Sequence, residues 1–243
     1  MKVKKSIVIG QTVSFAVLRS LLLVYYLHLH QRREIGFWRM LLGGIEAIDG
    51  KYILYVVIYI FPDFLFYYYV SSKYIRQLKE SYVYIFVRER NMKRWLREFT
   101  ARSLLGILLY EIVTVVILLL AGLAMQETLA IQVGEFITII LCWLVKQAVI
   151  FVFCNMLLFR FHEAVSVYAN LLVQAFPFFC VGVLYDIGAD WEMAVECIPF
   201  NWCNYNYLVQ LKINPFVMVC LSVVLGVVMH LFSEKLFHDY EAV

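Results

Sequence analysis

The stretch SSKYIRQLKESYVYIFVRERNMKRWLREFTARS, residues 71–103, is the longest strongly charged run between apolar segments of this 243-residue chain. It holds nine of the 21 Lys and Arg residues. Within it, Met92, Trp95, Leu96 and Phe99 follow the i, i+3, i+4, i+7 spacing that places apolar side chains on one face of a helix. The pattern predicts an amphipathic helix at a membrane surface, leading directly into the next apolar segment. The alternative is a basic loop placed only by the preference for Lys and Arg on the cytoplasmic side of a membrane.

The sequence on both sides of this stretch has the composition of a membrane protein. Hydrophobic residues make up 63% of the chain and charged residues 16%, whereas a soluble domain is about half apolar. Because a membrane-spanning helix needs about 20 residues, we expect an all-α integral membrane protein that forms one transmembrane domain over residues 1–243. The six predicted spans are residues 6–28, 52–70, 104–124, 136–159, 164–185 and 215–232. Residues 71–103 then join spans 2 and 3, and residues 186–214 form a long connection between spans 5 and 6.

The distribution of Lys and Arg predicts the orientation of the chain. With the N-terminus inside, 14 of the Lys and Arg residues outside the spans face the cytoplasm and five face outward. That difference predicts that both termini are cytoplasmic and that residues 186–214 are on the outer side. Residues 31–51 carry four of the five outward charges and run against the rule.

Four charged side chains fall within the predicted spans, namely Arg19, Asp63, Glu111 and Lys146. Such residues usually face the interior of a helix bundle, where they pair with one another. By depth along their helices, Arg19 could pair with Asp63, and Glu111 with Lys146. The cluster is either a polar seam along a translocation path or a set of ion pairs that locks helix packing. Pro62, next to Asp63, is expected to break span 2.

The outer connection, residues 186–214, mixes acidic and aromatic side chains, a composition typical of a segment at the outer membrane interface or dipping into it. It could cap a substrate path or be an ordinary interfacial loop. Cys197 and Cys203 share this connection and could form a disulfide if this face is oxidising, although two reduced cysteines are equally consistent. The other four cysteines lie in apolar runs, where we expect small buried side chains.

The sequence contains no motif that indicates an enzyme or a metal site. It lacks the phosphate-binding G-x-x-x-x-G-K-[ST], the zinc-binding H-E-x-x-H and the nucleophile turn G-x-S-x-G. We therefore expect no catalytic residue, metal ligand or cofactor on this chain, and nucleic acid is not an expected partner. An energy source would be supplied by another chain.

The whole arrangement resembles the permease subunits of ABC-2-type ABC transporters, particularly the small bacterial six-span permeases of bacteriocin and lantibiotic export or self-immunity. Three features carry the resemblance: a cytoplasmic N-terminus, a long basic connection between spans 2 and 3, and an extended outer connection between spans 5 and 6. The run from Tyr84 to Arg88, followed by Trp95, is similar to the corresponding connection of those permeases. One departure is that only about five residues precede span 1, where family members often have an amphipathic helix.

The resemblance implies a function and a set of partners. The chain would be a permease of the bacterial cytoplasmic membrane that exports or expels a peptide or amphiphile, with two identical or related permease chains enclosing the path. ATP and Mg²⁺ would be bound by a separate ATPase subunit that docks between spans 2 and 3. The residues implied in docking are Arg88, Glu89, Met92, Trp95, Leu96 and Phe99. The alternative function is a non-transporting sensor or scaffold whose basic stretch binds a cytoplasmic partner or anionic membrane lipid.

Overall fold

The computed structural model describes the backbone of residues 5–30, 36–88, 92–126 and 131–241, and the side chains of residues 10–29, 36–72, 96–126 and 131–236. Regular structure in these ranges is entirely helical. The α-helices are α1 (Lys5–His30), α2 (Phe37–Leu42), α3 (Ile53–Arg88), α4 (Met92–Ala124), α5 (Val133–Arg160), α6 (Glu163–Asp186), α7 (Trp191–Cys197), α8 (Tyr205–Gln210) and α9 (Pro215–Glu241). Short 3₁₀ turns occupy Ala47–Asp49 and Pro199–Asn201.

Six of these helices are long and apolar enough to cross a membrane. The candidate spans are Gly10–Leu29 in α1, Ile53–Ser72 in α3, Leu96–Ala124 in α4, Val133–Arg160 in α5, Glu163–Asp186 in α6 and Pro215–Leu236 in α9. The predicted fold class, an all-α membrane protein with six spans, is confirmed.

The basic stretch continues the helices of two spans. The 36-residue α3 runs past its candidate span to Arg88, which is about 24 Å beyond Ser72 at 1.5 Å per residue. α4 begins at Met92 and continues into the next span without a break. The described part of residues 71–103 therefore consists of two helical extensions, and it contains no separate surface helix.

Pro62 lies inside α3 without ending it, so the expectation that it breaks this span is wrong. An interior proline removes one backbone hydrogen bond, a loss that spans tolerate where neighbouring helices support the segment. Tyr59 and Ile60 before the proline and Phe64 after it are all buried against the rest of the bundle. Packing on both sides of the proline therefore holds the helix together.

The helix α5 lies at the centre of the bundle. It contacts α3, α4 and α6, and it packs most extensively against α9, while α1 lies against α3 and α4. At one end of the bundle, Arg97 near the start of α4 pairs with Glu234 near the end of α9. At the other end, Lys51 before α3 donates a hydrogen bond to Asp186 at the end of α6, and this bond raises the pKa of Lys51. We call these the basic end and the opposite end. Their contacts join the helix ends that six alternating crossings would bring together.

The connection between α6 and α9, residues 187–214, enters the bundle as a re-entrant hairpin. Its Phe200 ring lies 5.3 Å from the ring of Phe153, and Phe153 is about 30 Å along α5 from its start at Val133. Cys203 Sγ donates to Ser222 Oγ of α9 at 3.2 Å. The segment predicted as an outer connection therefore reaches far inside the bundle. Irregular backbone is tolerated at such depth where protein surrounds it.

Two asparagines attach the re-entrant hairpin to residues 36–51. Asn204 Nδ2 donates to the carbonyl of Ile45 at 2.9 Å, and Asn206 Nδ2 donates to the carbonyl of Gly44 at 2.7 Å. The backbone N–H of Asn206 donates to the carbonyl of Gly43 at 3.0 Å. Gly44 has φ +103°, and a Cβ there would clash with Asn204 Oδ1. The backbone carbonyls of this link are thus satisfied inside the bundle by amide side chains.

Candidate functional site

Arg19 of α1 is fully buried and forms the centre of a charge cluster. Its Nη1 lies 2.7 Å from Asp63 Oδ1 of α3 and 2.8 Å from Glu111 Oε2 of α4. The guanidinium also stacks over the ring of Trp143 of α5, with Cζ 4.4 Å from the ring centroid. One arginine therefore ties four spans together. The predicted Arg19–Asp63 pair is present, but Glu111 joins the same arginine instead of pairing with Lys146.

Neutral donors complete the coordination of both carboxylates. Tyr67 donates to Glu111 Oε1 at 3.2 Å, and Tyr110 donates to Asp63 Oδ1 at 3.0 Å. Gln147 Nε2 donates to Asp63 Oδ2 at 2.6 Å. Buried carboxylates with several donors remain stable in an apolar interior because these bonds replace the lost hydration. The arrangement therefore holds two negative charges on one arginine without exposing either to lipid.

Lys146 of α5 lies beside this cluster without joining it. Its side chain is partly exposed, but Nζ is buried and has no hydrogen-bond partner among the described side chains. Nζ lies 4.5 Å from the ring centroid of Phe178 and 5.5 Å from that of Tyr59. A cation over aromatic faces gains about 0.5–2 kcal/mol of attraction, which offsets part of its lost hydration. Lys146 also brings the formal charge of the cluster to zero.

A cavity of about 10 Å³ adjoins Lys146, Asp63, Gln147 and Gln174. That volume is close to the minimum for one water molecule. Lys146 Nζ and the unpartnered Gln147 Oε1 could both bond a water there. Arg19, Asp63 and Glu111 are buried and paired with one another, so this cluster resembles a locked ion-pair network more than a path. No group of three or more His, Cys, Asp or Glu that could hold a metal ion occurs among the described residues.

Among the residues implied in docking, the structure describes the side chains of Leu96 and Phe99. Leu96 and Phe99 are 2% and 6% exposed and pack into the core with residues of α1, α3 and α5. They cannot form an exposed stripe, because that face of α4 is turned toward its own bundle. The side chains of Arg88, Met92 and Trp95, and the whole of Glu89, lie outside the described residues.

The two cysteines of the re-entrant hairpin are free thiols. Cys197 is exposed on α7, whereas Cys203 is buried and hydrogen-bonded to Ser222. The disulfide is absent because the hairpin turns Cys203 into the bundle. Of the other cysteines, Cys142 and Cys154 are buried as expected, but Cys180 is partly exposed and Cys220 is exposed.

Sequence reasoning missed the neutral members of the cluster, which are Tyr67, Tyr110, Trp143 and Gln147. A partial signal existed: Tyr67 is four residues after Asp63, and Tyr110 and Gln147 are adjacent to Glu111 and Lys146. Residues four apart share a helix face, so Tyr67 could have been placed beside the charges. Trp143 carries the same signal, because it lies three residues before Lys146 and four before Gln147 on one helix face.

Comparison of the chain with known proteins identifies no relative. Neither a family model, nor a curated protein, nor a solved structure matches the chain. The resemblance to ABC-2-type permeases therefore remains an expectation, and the function is inferred from the residues and contacts of the chain itself.

Proposed function

We propose that this chain is the membrane-spanning permease subunit of an ABC transporter, which exports or expels a peptide or amphiphile. A separate ATPase subunit binds ATP and Mg²⁺ and docks at the basic end, on the extensions of α3 and α4. Two permease chains form the complete transporter in a bacterial cytoplasmic membrane.

The observation that carries this proposal is the helical continuity of α3 beyond its span. A helix that projects about 24 Å past the span is stiff, so a push on its tip moves the membrane segment as well. A flexible basic loop would bind a partner but would absorb the motion. A rigid connection of this kind would carry conformational change on a partner ATPase to the spans.

The start of α4 offers a second mechanical connection. Arg97 donates from Nε and Nη2 to the two carboxylate oxygens of Glu234 at 2.7 and 3.2 Å. Paired bonds of this kind fix both distance and orientation. Because α9 packs extensively on α5, a displacement of the first turns of α4 would be passed to the centre of the bundle.

The packing of the charge cluster supports a path between two chains. Arg19, Asp63 and Glu111 are all buried and bonded to one another. Opening a path through them would break several charged hydrogen bonds at once. A substrate moving between two copies would leave this network intact, so the cluster serves as a rigid support for each chain.

The burial of Leu96 and Phe99 favours the alternative function, a non-transporting sensor or scaffold. It removes two apolar contacts that shape-specific docking would use, whereas binding of anionic lipid needs mainly positive charge. The two functions differ in their response to a change of shape without a change of charge.

Trp95→Ala tests the difference. In vesicles that contain the chain with its ATPase partner, we expect Trp95→Ala to abolish stimulation of ATP hydrolysis while membrane insertion remains normal. Arg88→Ala should have the same effect. Lys235→Ala is the matched control, because it removes an exposed charge at the same end of the bundle but outside the basic stretch. Unchanged stimulation in Trp95→Ala, or equal losses in all three variants, would contradict specific docking.

A further inference from the structure

A second cavity lies at the opposite end of the bundle, between α2 and the start of α5. Its volume is about 280 Å³, and its walls include Trp38, Arg39, Ile131 and Glu135. This space equals the liquid volume of about nine water molecules and approaches the size of small-molecule sites. It can hold a small organic group, unlike the cavity beside Lys146.

Arg39 and Glu135 face this cavity as an incompletely formed ion pair. Arg39 Nε lies 3.9 Å from Glu135 Oε1, which is too far for a hydrogen bond. Arg39 Nε is buried and has no hydrogen-bond partner among the side chains that the structure describes. The two side chains are 27% and 31% exposed. Arg39 Nε and Glu135 Oε1 therefore do not hydrogen-bond to each other, and both can bond a ligand in the cavity.

Tyr205 of α8 lies beside both charges. Its ring lies 5.9 Å from Arg39 Cζ, and its phenol is close enough to Glu135 for the negative charge of that side chain to act on it. Burial, and after it the negative charge of Glu135, raises the pKa of Tyr205. The phenol thus stays protonated at neutral pH. Tyr205 therefore adds no charge of its own to the cavity.

Two opposite charges set the chemistry of the ligand. An anion alone would meet the repulsion of Glu135, and a cation alone would meet that of Arg39. A molecule that carries both charges satisfies both side chains at once. We propose that this cavity binds a zwitterionic group, with its anionic oxygens on Arg39 and its ammonium on Glu135. Phosphoethanolamine, free or as the head group of a lipid, has this chemistry.

The test uses the full chain purified in detergent and three soluble probes: glycerophosphoethanolamine, glycerol phosphate and ethanolamine. Calorimetric titration should give an affinity for the zwitterion at least about tenfold above that for either half, as expected for two charge-assisted contacts. Glu135→Gln, which removes the negative charge and keeps nearly the same side-chain size, should abolish this preference and leave a weak anion site. Arg39→Gln should abolish binding of glycerol phosphate as well.

A second arm separates the two sources of the group. Chains in nanodiscs with phosphatidylethanolamine should unfold at a higher temperature than those with phosphatidylglycerol, and Glu135→Gln should remove the difference. Binding in this arm alone would assign the site to the lipid head group, and binding of the soluble probe would extend it to free zwitterions. No preference for the zwitterion in either arm, or a preference that Glu135→Gln leaves unchanged, would overturn the proposal even if Arg39→Gln fails to fold.

Discussion

Arg19 holds two carboxylates that would otherwise be unpaired in the middle of the bundle. A buried ion pair adds little net stability over apolar packing, but the loss of one partner leaves a buried charge without compensation. Asp63 and Glu111 also accept bonds from Tyr110, Gln147 and Tyr67, which are neutral and cannot balance their charge. The stability of the cluster therefore depends on this arginine more than on any other single side chain.

We predict that Arg19→Met destabilises the chain by about 3–5 kcal/mol, because it leaves both buried carboxylates without their positively charged partner. Thermal unfolding in detergent measures the effect. Lys146→Met is the matched control, since it removes a charge of the same sign from the same region but breaks no described hydrogen bond. Its loss should be much smaller. Equal losses in the two variants would show that the cluster does not depend on Arg19 in particular.

The four charges of the cluster could be predicted from hydropathy, but their pairing could not. Depth along a span follows from residue number, and by depth Glu111 could meet Lys146. The partner also depends on the rotation of each helix about its axis, which the packing of all six spans decides. α1 lies against both α3 and α4, so Arg19 reaches both acids, and α5 turns Lys146 toward Phe178.

At the scale of elements, the re-entrant hairpin is the feature that sequence reasoning placed least well. Its acidic and aromatic residues indicate a membrane interface, and the composition of the segment carries no sign of its depth. Asn201, Asn204 and Asn206 are all buried, although asparagine in a connection is usually exposed. Asn204 and Asn206 donate to backbone carbonyls of residues 36–51, and Asn201 donates to the carbonyl of Ala194 within the hairpin. These bonds make the burial possible, and they leave no local pattern.

We predict that Gly44→Ala destabilises the hairpin, by about 1–3 kcal/mol for the left-handed backbone alone. The added Cβ would also clash with the side chain of Asn204. Gly10→Ala is the control, because this glycine is exposed within α1 and a methyl group added there would have no atom within 4 Å; it should change stability by about 1 kcal/mol or less. Thermal unfolding of both variants measures the difference. A melting temperature of Gly44→Ala equal to that of the native chain would contradict the hairpin contacts.

For the basic stretch, the sequence predicted the helix correctly but not the direction of its apolar face. Its helical spacing correctly predicted helix at the start of α4, and the i,i+4 pair of Glu98 and Arg102 is present at 3.3 Å. The direction of the apolar face was the error, since Leu96 and Phe99 point into their own bundle. An amphipathic pattern gives the face that is buried, but it does not say whether a membrane, a partner or the same chain buries it.

For the whole molecule, six helices are long and apolar enough to cross a membrane, and the orientation remains a prediction from the distribution of Lys and Arg. We predict that the basic end faces the cytoplasm. In a chain without native cysteines, Glu192→Cys at the opposite end should react with a membrane-impermeant maleimide in intact cells. Lys235→Cys at the basic end should react only after the membrane is opened. The reverse pattern would place the basic end outside and remove the basis for a cytoplasmic ATPase.

The central claim is that this chain works as part of a complex driven by an ATPase. The most direct measurement is to solubilise the chain from its native membrane in mild detergent, identify the proteins that copurify with it, and assay the complex for ATP hydrolysis. We predict that an ATPase subunit and a second permease chain copurify and that the complex turns over ATP. A chain that emerges alone, or with a partner that is not an ATPase and without ATP turnover, would contradict transport and favour a sensor or scaffold.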